Sequence, residues 1–173
     1  MDPWSENRHP REIAGLQVLG RGGVMRILAI DPGPTTSGVV IFADGRVTVA
    51  EPKMQNHLML DLVRLSSYDL LACECIEALY AHVGKETVNT IRLVGRIEEA
   101  CWDRGIDWCG ISPQEVKKRV CGTSAAKDPA VRQALIDRLG APGTKKSPGA
   151  TYGVSSHAWR ALAVAVASTI QGQ

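Results

Sequence analysis

No stretch of this 173-residue chain approaches the roughly 20 consecutive apolar residues that cross a bilayer, which excludes an α-helical span. A basic stretch followed by an apolar one is also lacking at the N-terminus, so the protein is expected in the cytoplasm, neither inserted nor secreted. No C-x-x-C pair occurs among Cys73, Cys75, Cys101, Cys109 and Cys121, and their odd number leaves at least one thiol unpaired. That argues against zinc and suits a reducing compartment. Cys73 and Cys75 would share one face of a strand and read as small buried hydrophobes rather than a metal pair. Internal repeats and low-complexity tracts are missing too. What is present is a 45% hydrophobic composition, enough for the core of one domain of ordinary size.

Net charge is only +2, but it is unevenly placed. From Pro113 to Pro148 eight Lys and Arg face three Asp and Glu, a local +5 that leaves −3 on the rest of the chain. Lys117, Lys118, Arg119, Lys127, Arg132, Arg138, Lys145 and Lys146 fall in this segment, and such a cluster neutralises phosphates. A solvated helical face explains the same charges equally well.

One carboxylate stands out from its surroundings. The apolar run Ile27-Leu28-Ala29-Ile30 reads as a central strand covered on both faces, and it delivers Asp31 into the turn Pro32-Gly33. An Asp there either caps the turn or presents a reactive carboxylate at a strand end. Residues 1–24 are broken by Pro3, Pro10, Gly15, Gly20, Gly22 and Gly23 and read as a flexible tail, so the domain is expected over 25–173.

Asp44-Gly45 between Ser37–Ala43 and Arg46–Ala50 predicts a hairpin, making the opening a three-stranded meander. Asn56 is placed to cap a helix to about Leu65, with Leu58, Leu62 and Leu65 on one face. Asp69 to Ile76 returns as an apolar strand carrying a second carboxylate, Glu74. Lys85 to Arg104 follows as a long helix with Val88, Ile91, Val94, Gly95 and Ile97 inward. Ile106 to Ile111 is a fifth strand, and Pro113 starts the next helix. Short helices over Gln114–Val120 and Pro129–Leu139, a loop over Gly140–Gly153 and a last helix from about Ser156 to Ile170 complete the chain.

The order βββ-α-β-α-β with trailing helices is the plan of the ribonuclease H-like fold, a five-stranded mixed sheet flanked by helices, while periodicity alone leaves other α/β folds open. With Ile30-Asp-Pro-Gly33, Ser37-Gly38, Glu74, Val83-Gly-Lys-Glu-Thr87, Gly95-Arg96, Cys121-Gly122, Ala126-Lys-Asp128, Arg132-Gln-Ala-Leu-Ile-Asp137, Tyr152-Gly-Val-Ser-Ser-His-Ala-Trp159 and Ala161-Leu-Ala-Val164 in order, the chain resembles the RuvC family of Holliday-junction resolvases over about 25–170. It is most similar to the phage and prophage branch of that family. The resemblance implies a metal-dependent endonuclease acting on branched DNA in recombination, repair or phage DNA processing. It also implies a homodimer, with the helix Lys85 to Arg104 as the place to look for its interface; a branch-migration helicase as partner is left open. Asp31 and Glu74 would stand on neighbouring strands and hold Mg²⁺ or Mn²⁺, two ions per site in the family's manner. Glu77, three residues on, is the alternative to Glu74, although it would face the other side of a continuing strand.

The start of the last helix departs from the pattern. Many members carry two acids three residues apart there; this chain has His157 and Arg160. His157 follows a candidate N-cap, Ser156, and points away from the stripe Trp159, Leu162, Ala163, Val166 and Ile170, so it can reach an active site; an isolated histidine there reads first as an exposed first-turn residue, and it is the resemblance that implies a third ligand or proton-transfer group. Arg160 cannot bind a cation; it holds the scissile phosphate or repels a second metal. Asp128, just before Pro129, is an ordinary helix cap or a substitute ligand. The phosphate-gripping set is Lys117, Lys118, Arg119, Lys127, Arg132, Lys145, Lys146 and Arg160, with the Gly143–Gly149 loop closing on DNA. Two competing classes are a junction-binding module without cleavage, suggested by Arg160, and an actin-like sugar kinase, suggested by Asp31-Pro-Gly-Pro-Thr-Thr36. The kinase lacks its second Asp-x-Gly motif here and needs a longer chain. A related nuclease acting on forks or RNA is the nearer competitor.

Overall fold

The structure, a computed structural model, describes residues 24–76 and 84–170. The expected tail, Val24 apart, lies outside these residues, as does Glu77. Ten elements follow in order: β1 (Arg26–Asp31), β2 (Thr36–Ala43), β3 (Arg46–Gln55), α1 (Asn56–Leu65), β4 (Leu70–Glu74), α2 (Lys85–Arg104), β5 (Asp107–Ile111), α3 (Pro113–Cys121), α4 (Asp128–Leu139) and α5 (Ala158–Thr169). The strands form one sheet in the order β3-β2-β1-β4-β5. β1, β2 and β3 are antiparallel, whereas β4 runs parallel to both β1 and β5. The expected fold class is the observed one.

Each face of the sheet has its own core, as alternation along the strands requires. Leu28, Ile30, Val39, Ile41, Leu71 and Cys73 pack against Met59, Leu60 and Val63 of α1 and Leu93, Ile97 and Cys101 of α2. On the other face Ile27, Ala29, Val40, Phe42, Leu70 and Ala72 meet α3, α4 and above all α5. From Ala158 to Ala167 every residue of α5 except Arg160 is buried. Its alanines let the helix sit close against the sheet, and its apolar character on all sides fits a helix sandwiched between β1, β2, β4 and the outer pair α3 and α4.

Helix boundaries came close to expectation, but helix rotation did not. In α1 the buried face is Met59, Leu60 and Val63, while Leu58 is 52% and Leu65 82% exposed. Asn56 explains the phase. It is the first helical residue rather than the cap, and its Nδ2 donates to Gly33 O at 3.0 Å while its Oδ1 accepts from the Ser37 hydroxyl at 2.8 Å. Those two bonds pin the start of the helix to the β1–β2 turn and set which stripe turns inward. In α2 the buried set is Thr90, Leu93, Ile97, Ala100 and Cys101, so of the expected stripe only Ile97 is buried; Ile91 is exposed. Thr90 tolerates burial because its hydroxyl donates to Glu86 O at 3.0 Å.

Two further differences have local causes. β3 runs five residues past Ala50, through Pro52, because it is the edge strand and a proline there removes no needed donor. Ser156 does not cap α5: it has a positive φ of 44°, His157 occupies the capping position, and no side-chain cap bond forms.

Candidate active site

The parallel pairing of β1 and β4 sets Ile27 opposite Leu70 and Ile30 opposite Cys73, so the next residues, Asp31 and Glu74, end neighbouring strands side by side. Alternation then decides their direction. Asp31 follows Ile27 and Ala29, and Glu74 follows Leu70 and Ala72, all on the α5 face. Both carboxylates therefore open under the N-terminus of α5. His157 completes the group from above: its Nδ1 lies 3.2 Å from Asp31 Oδ2. Asp31 is thus bonded to a side chain 126 residues away rather than capping its own turn.

The electrostatics are those of an under-compensated acidic pair. Burial raises the Asp31 carboxyl above its ordinary range, against the opposing pull of Arg160. Glu74 is pushed from 4.5 to about 7, by burial first and by the Asp31 charge second. A buried and a half-buried hard-oxygen donor that repel each other fit a small divalent cation of the Mg²⁺ or Mn²⁺ kind. Among the described residues no three His, Cys, Asp or Glu side chains form a ready-made ion cage, so the remaining ligand positions would fall to water and substrate oxygen.

A stability consequence follows from Glu74. Between about pH 4.5 and about 7 the folded protein holds a proton here that the unfolded chain has released. Without metal, stability is therefore expected to fall as pH rises through that window. Thermal unfolding in EDTA at pH 5, 6 and 7 checks this; Glu74→Gln should flatten the fall, and Mg²⁺ should offset it at the upper end.

Arg160, one turn into α5, donates from Nη2 to Asp128 Oδ2 at 2.7 Å. Asp128 is accordingly no N-cap, since Lys127 holds that position, and its carboxyl is held below the usual range by the Arg160 bond. The pair is well exposed on both sides, where ion pairs contribute little stability. Beside it lies an open groove of about 620 Å³ lined by Asp128, Val131, Ile136, His157, Trp159 and Arg160. The Arg132 guanidinium lies 4.9 Å over the Trp159 ring.

No family model matches the chain. A crossover junction endodeoxyribonuclease RuvC of Rhodococcus opacus (strain B4) is 32% identical over 157 residues, covering 79% of this chain and 82% of that protein. The chain belongs to the RuvC family. Its fold also matches the Thermus thermophilus RuvC structure at a TM-score of 0.62 and 20% identity, over 84% of this chain and 93% of that one. The same protein in complex with a Holliday junction substrate superimposes at 0.61, with the same coverage and identity.

Within this RuvC-family site, the basic residues expected from sequence separate into groups. Lys117 is near enough for its charge to bear on Glu74 and Asp128. Lys118 and Lys127 are exposed, and Lys127 adjoins Asp128 at the start of α4. Arg119 is used otherwise: Nε donates to Glu115 at 2.7 Å, and Nη1 donates to the carbonyls of Ala167 and Ile170 at 3.2 Å each. It closes the C-terminal end of α5, where orphan carbonyls need donors, and so leaves the phosphate-gripping set. Lys145 and Lys146 ride on a hairpin tied by bonds between Thr144 and Ser147 and from Gly149 to Pro142, not on a loose loop. That segment is anchored by Val47 N–H donating to Ala150 O. Val47 pairs with Phe42, towards the end of the sheet away from Asp31, so the foot of this hairpin is anchored away from the carboxylates.

Two residues that shape the site were named from sequence in other roles, Asn56 as a helix cap and Gly38 as a motif residue. Asn56 ties the turn after Asp31, as described above. Gly38, opposite Asp31 across β1 and β2, gives the room in which the His157 backbone approaches the sheet. The Ser-Gly step in a β-branched strand was the available signal for such a close approach.

Proposed function

We propose that this protein is a divalent-metal-dependent endonuclease that cuts branched DNA, foremost the four-way Holliday junction, in DNA recombination, repair or phage DNA processing. The observation that carries this reading is the side-by-side placement of Asp31 and Glu74 beneath His157 in a chain of the RuvC family. Asp31 and Glu74 would hold the cation, which when bound activates a water and stabilises the leaving 3′ oxygen. The reaction forms a bond between that water's oxygen and phosphorus and breaks the P–O3′ bond. His157 serves the proton. With Nδ1–H donating to Asp31, Nε2 remains an acceptor, and its side chain is 52% exposed, open to the groove. Lys117, Lys118 and Lys127 hold backbone phosphates around the scissile one, and Arg132 lines the groove floor on Trp159.

Symmetric cutting of a four-way junction takes two such sites, which supports a homodimer. We place its interface on the outward face of α2, where Ile91 is left exposed. Incubation with a labelled immobile junction, linear duplex, fork and RNA–DNA hybrid, in Mg²⁺, Mn²⁺ and EDTA, tests the substrate class. Paired nicks on the junction alone, abolished by EDTA, are expected. Preferential cutting of fork or hybrid would replace the substrate, and tight junction binding without cutting in any divalent ion would overturn the enzyme reading.

A further inference from the structure

We infer that each site is built for one divalent ion, and that the Arg160 guanidinium, steered by Asp128, supplies the positive charge that a second ion would bring. The inference rests on the nuclease reading above and narrows it. Arg160 projects from a rigid part of the molecule, since Ala158, Trp159, Ala161 and Leu162 around it are all buried. Its cation is close enough to both carboxylates to favour their ionised forms. Asp31 and Glu74 together carry two negative charges, which one dication balances. A second dication would have to share the space with that guanidinium, and the further carboxylate whose charge bears on both, Asp128, is already bonded to it at 2.7 Å. Among the described residues no three Asp, Glu, Cys or His side chains form an ion cage, and His157, which touches the pair, is bonded to Asp31 through Nδ1. On this reading one ion takes the place of the two that the family resemblance implies.

The Arg160–Asp128 arrangement suits the role it takes over. An exposed ion pair is held weakly, so Arg160 exchanges partners at little cost. A guanidinium matches two phosphate oxygens in a fork and keeps its proton throughout. Arg160 then neutralises charge building on the phosphate, while the water's proton leaves through His157. Asp128 is a positioning residue: it keeps the guanidinium turned toward the α4 side of the groove instead of collapsing onto Asp31 and Glu74.

Counting bound Mn²⁺ by electron paramagnetic resonance on the full chain, with Asp31→Asn as the blank, reads the stoichiometry without any cleavage. One ion per chain is expected for the unmodified protein and two for Arg160→Asp. Single-turnover cleavage should rise with the first power of Mg²⁺ concentration, and Arg160→Ala should slow it about 100-fold. Asp128→Asn should slow cleavage by less yet tighten junction binding in EDTA, because it frees a cation for phosphate, a combination that a merely structural role would not give. Two ions lost on Asp31→Asn, or Arg160→Ala cutting at full rate, would overturn the inference. Failure of the nuclease reading would look different, with the one-ion count intact and no branched DNA cut.

Discussion

Asp31→Asn should reduce junction cleavage on the order of 10³-fold or more while the protein stays folded and still binds the junction. The substitution keeps shape and removes only charge, so the buried site, 7% exposed at Asp31, needs no repacking. Asn retains an oxygen that accepts from His157 Nδ1, so the histidine keeps its orientation. What disappears is the charge of the central donor in the carboxylate pair. Stability should not fall and is expected to rise slightly, because burial already disfavours the ionised Asp31. Single-turnover rates, junction binding in Ca²⁺ and thermal midpoints measured together separate these effects. A variant that unfolds, or one that cuts at the original rate, would each contradict this assignment.

Gly38→Ala should cost stability and cleavage together. A Cβ at this position would sit 2.6 Å from His157 O, 2.8 Å from its carbonyl carbon and 3.0 Å from its Cβ. Two of those contacts are backbone, and the backbone cannot give way cheaply because α5 begins at the next residue and is buried along nearly its whole length. Overpacking of this kind costs about 1–3 kcal/mol. A loss of about 2 kcal/mol corresponds to a thermal midpoint lower by about 6 °C in a chain of this size. Any displacement of α5 moves His157 off Asp31 and Arg160 off the groove, so the cleavage rate should fall more than stability alone explains. His157→Ala in the same chain should not restore stability, since the carbonyl contacts remain.

The architecture was largely legible from local pattern. Ala29 within an unbroken apolar run, Asp44-Gly45 between β-rich segments and Pro113 after a strand each specify an element without outside help, and the limits of α2 were read to the residue. The carboxylate pair was legible for the same reason: strand alternation puts Asp31 and Glu74 on one face once β1 and β4 are neighbours. Helix rotation was not. α1 and α2 each carry more than one apolar stripe, and in α1 the choice was made by bonds from outside the helix, between Asn56 and Gly33 and Ser37. The same limit hid the uses of Arg119 and Asp128. Their partners, Ala167, Ile170 and Arg160, lie 32 to 51 residues away and leave no mark on local periodicity.

The central claim is that Asp31 and Glu74 jointly support paired incision of a four-way junction. A supercoiled plasmid carrying one extruded cruciform tests it most directly, comparing the unmodified protein with Glu74→Gln in Mg²⁺. Two incisions within one bound complex convert the circle to linear DNA without accumulating nicked circles, and Glu74→Gln should leave the plasmid intact although bound. Nicked circles as the sole product would contradict the paired sites, and linear product from Glu74→Gln at the original rate would contradict the carboxylate pair itself.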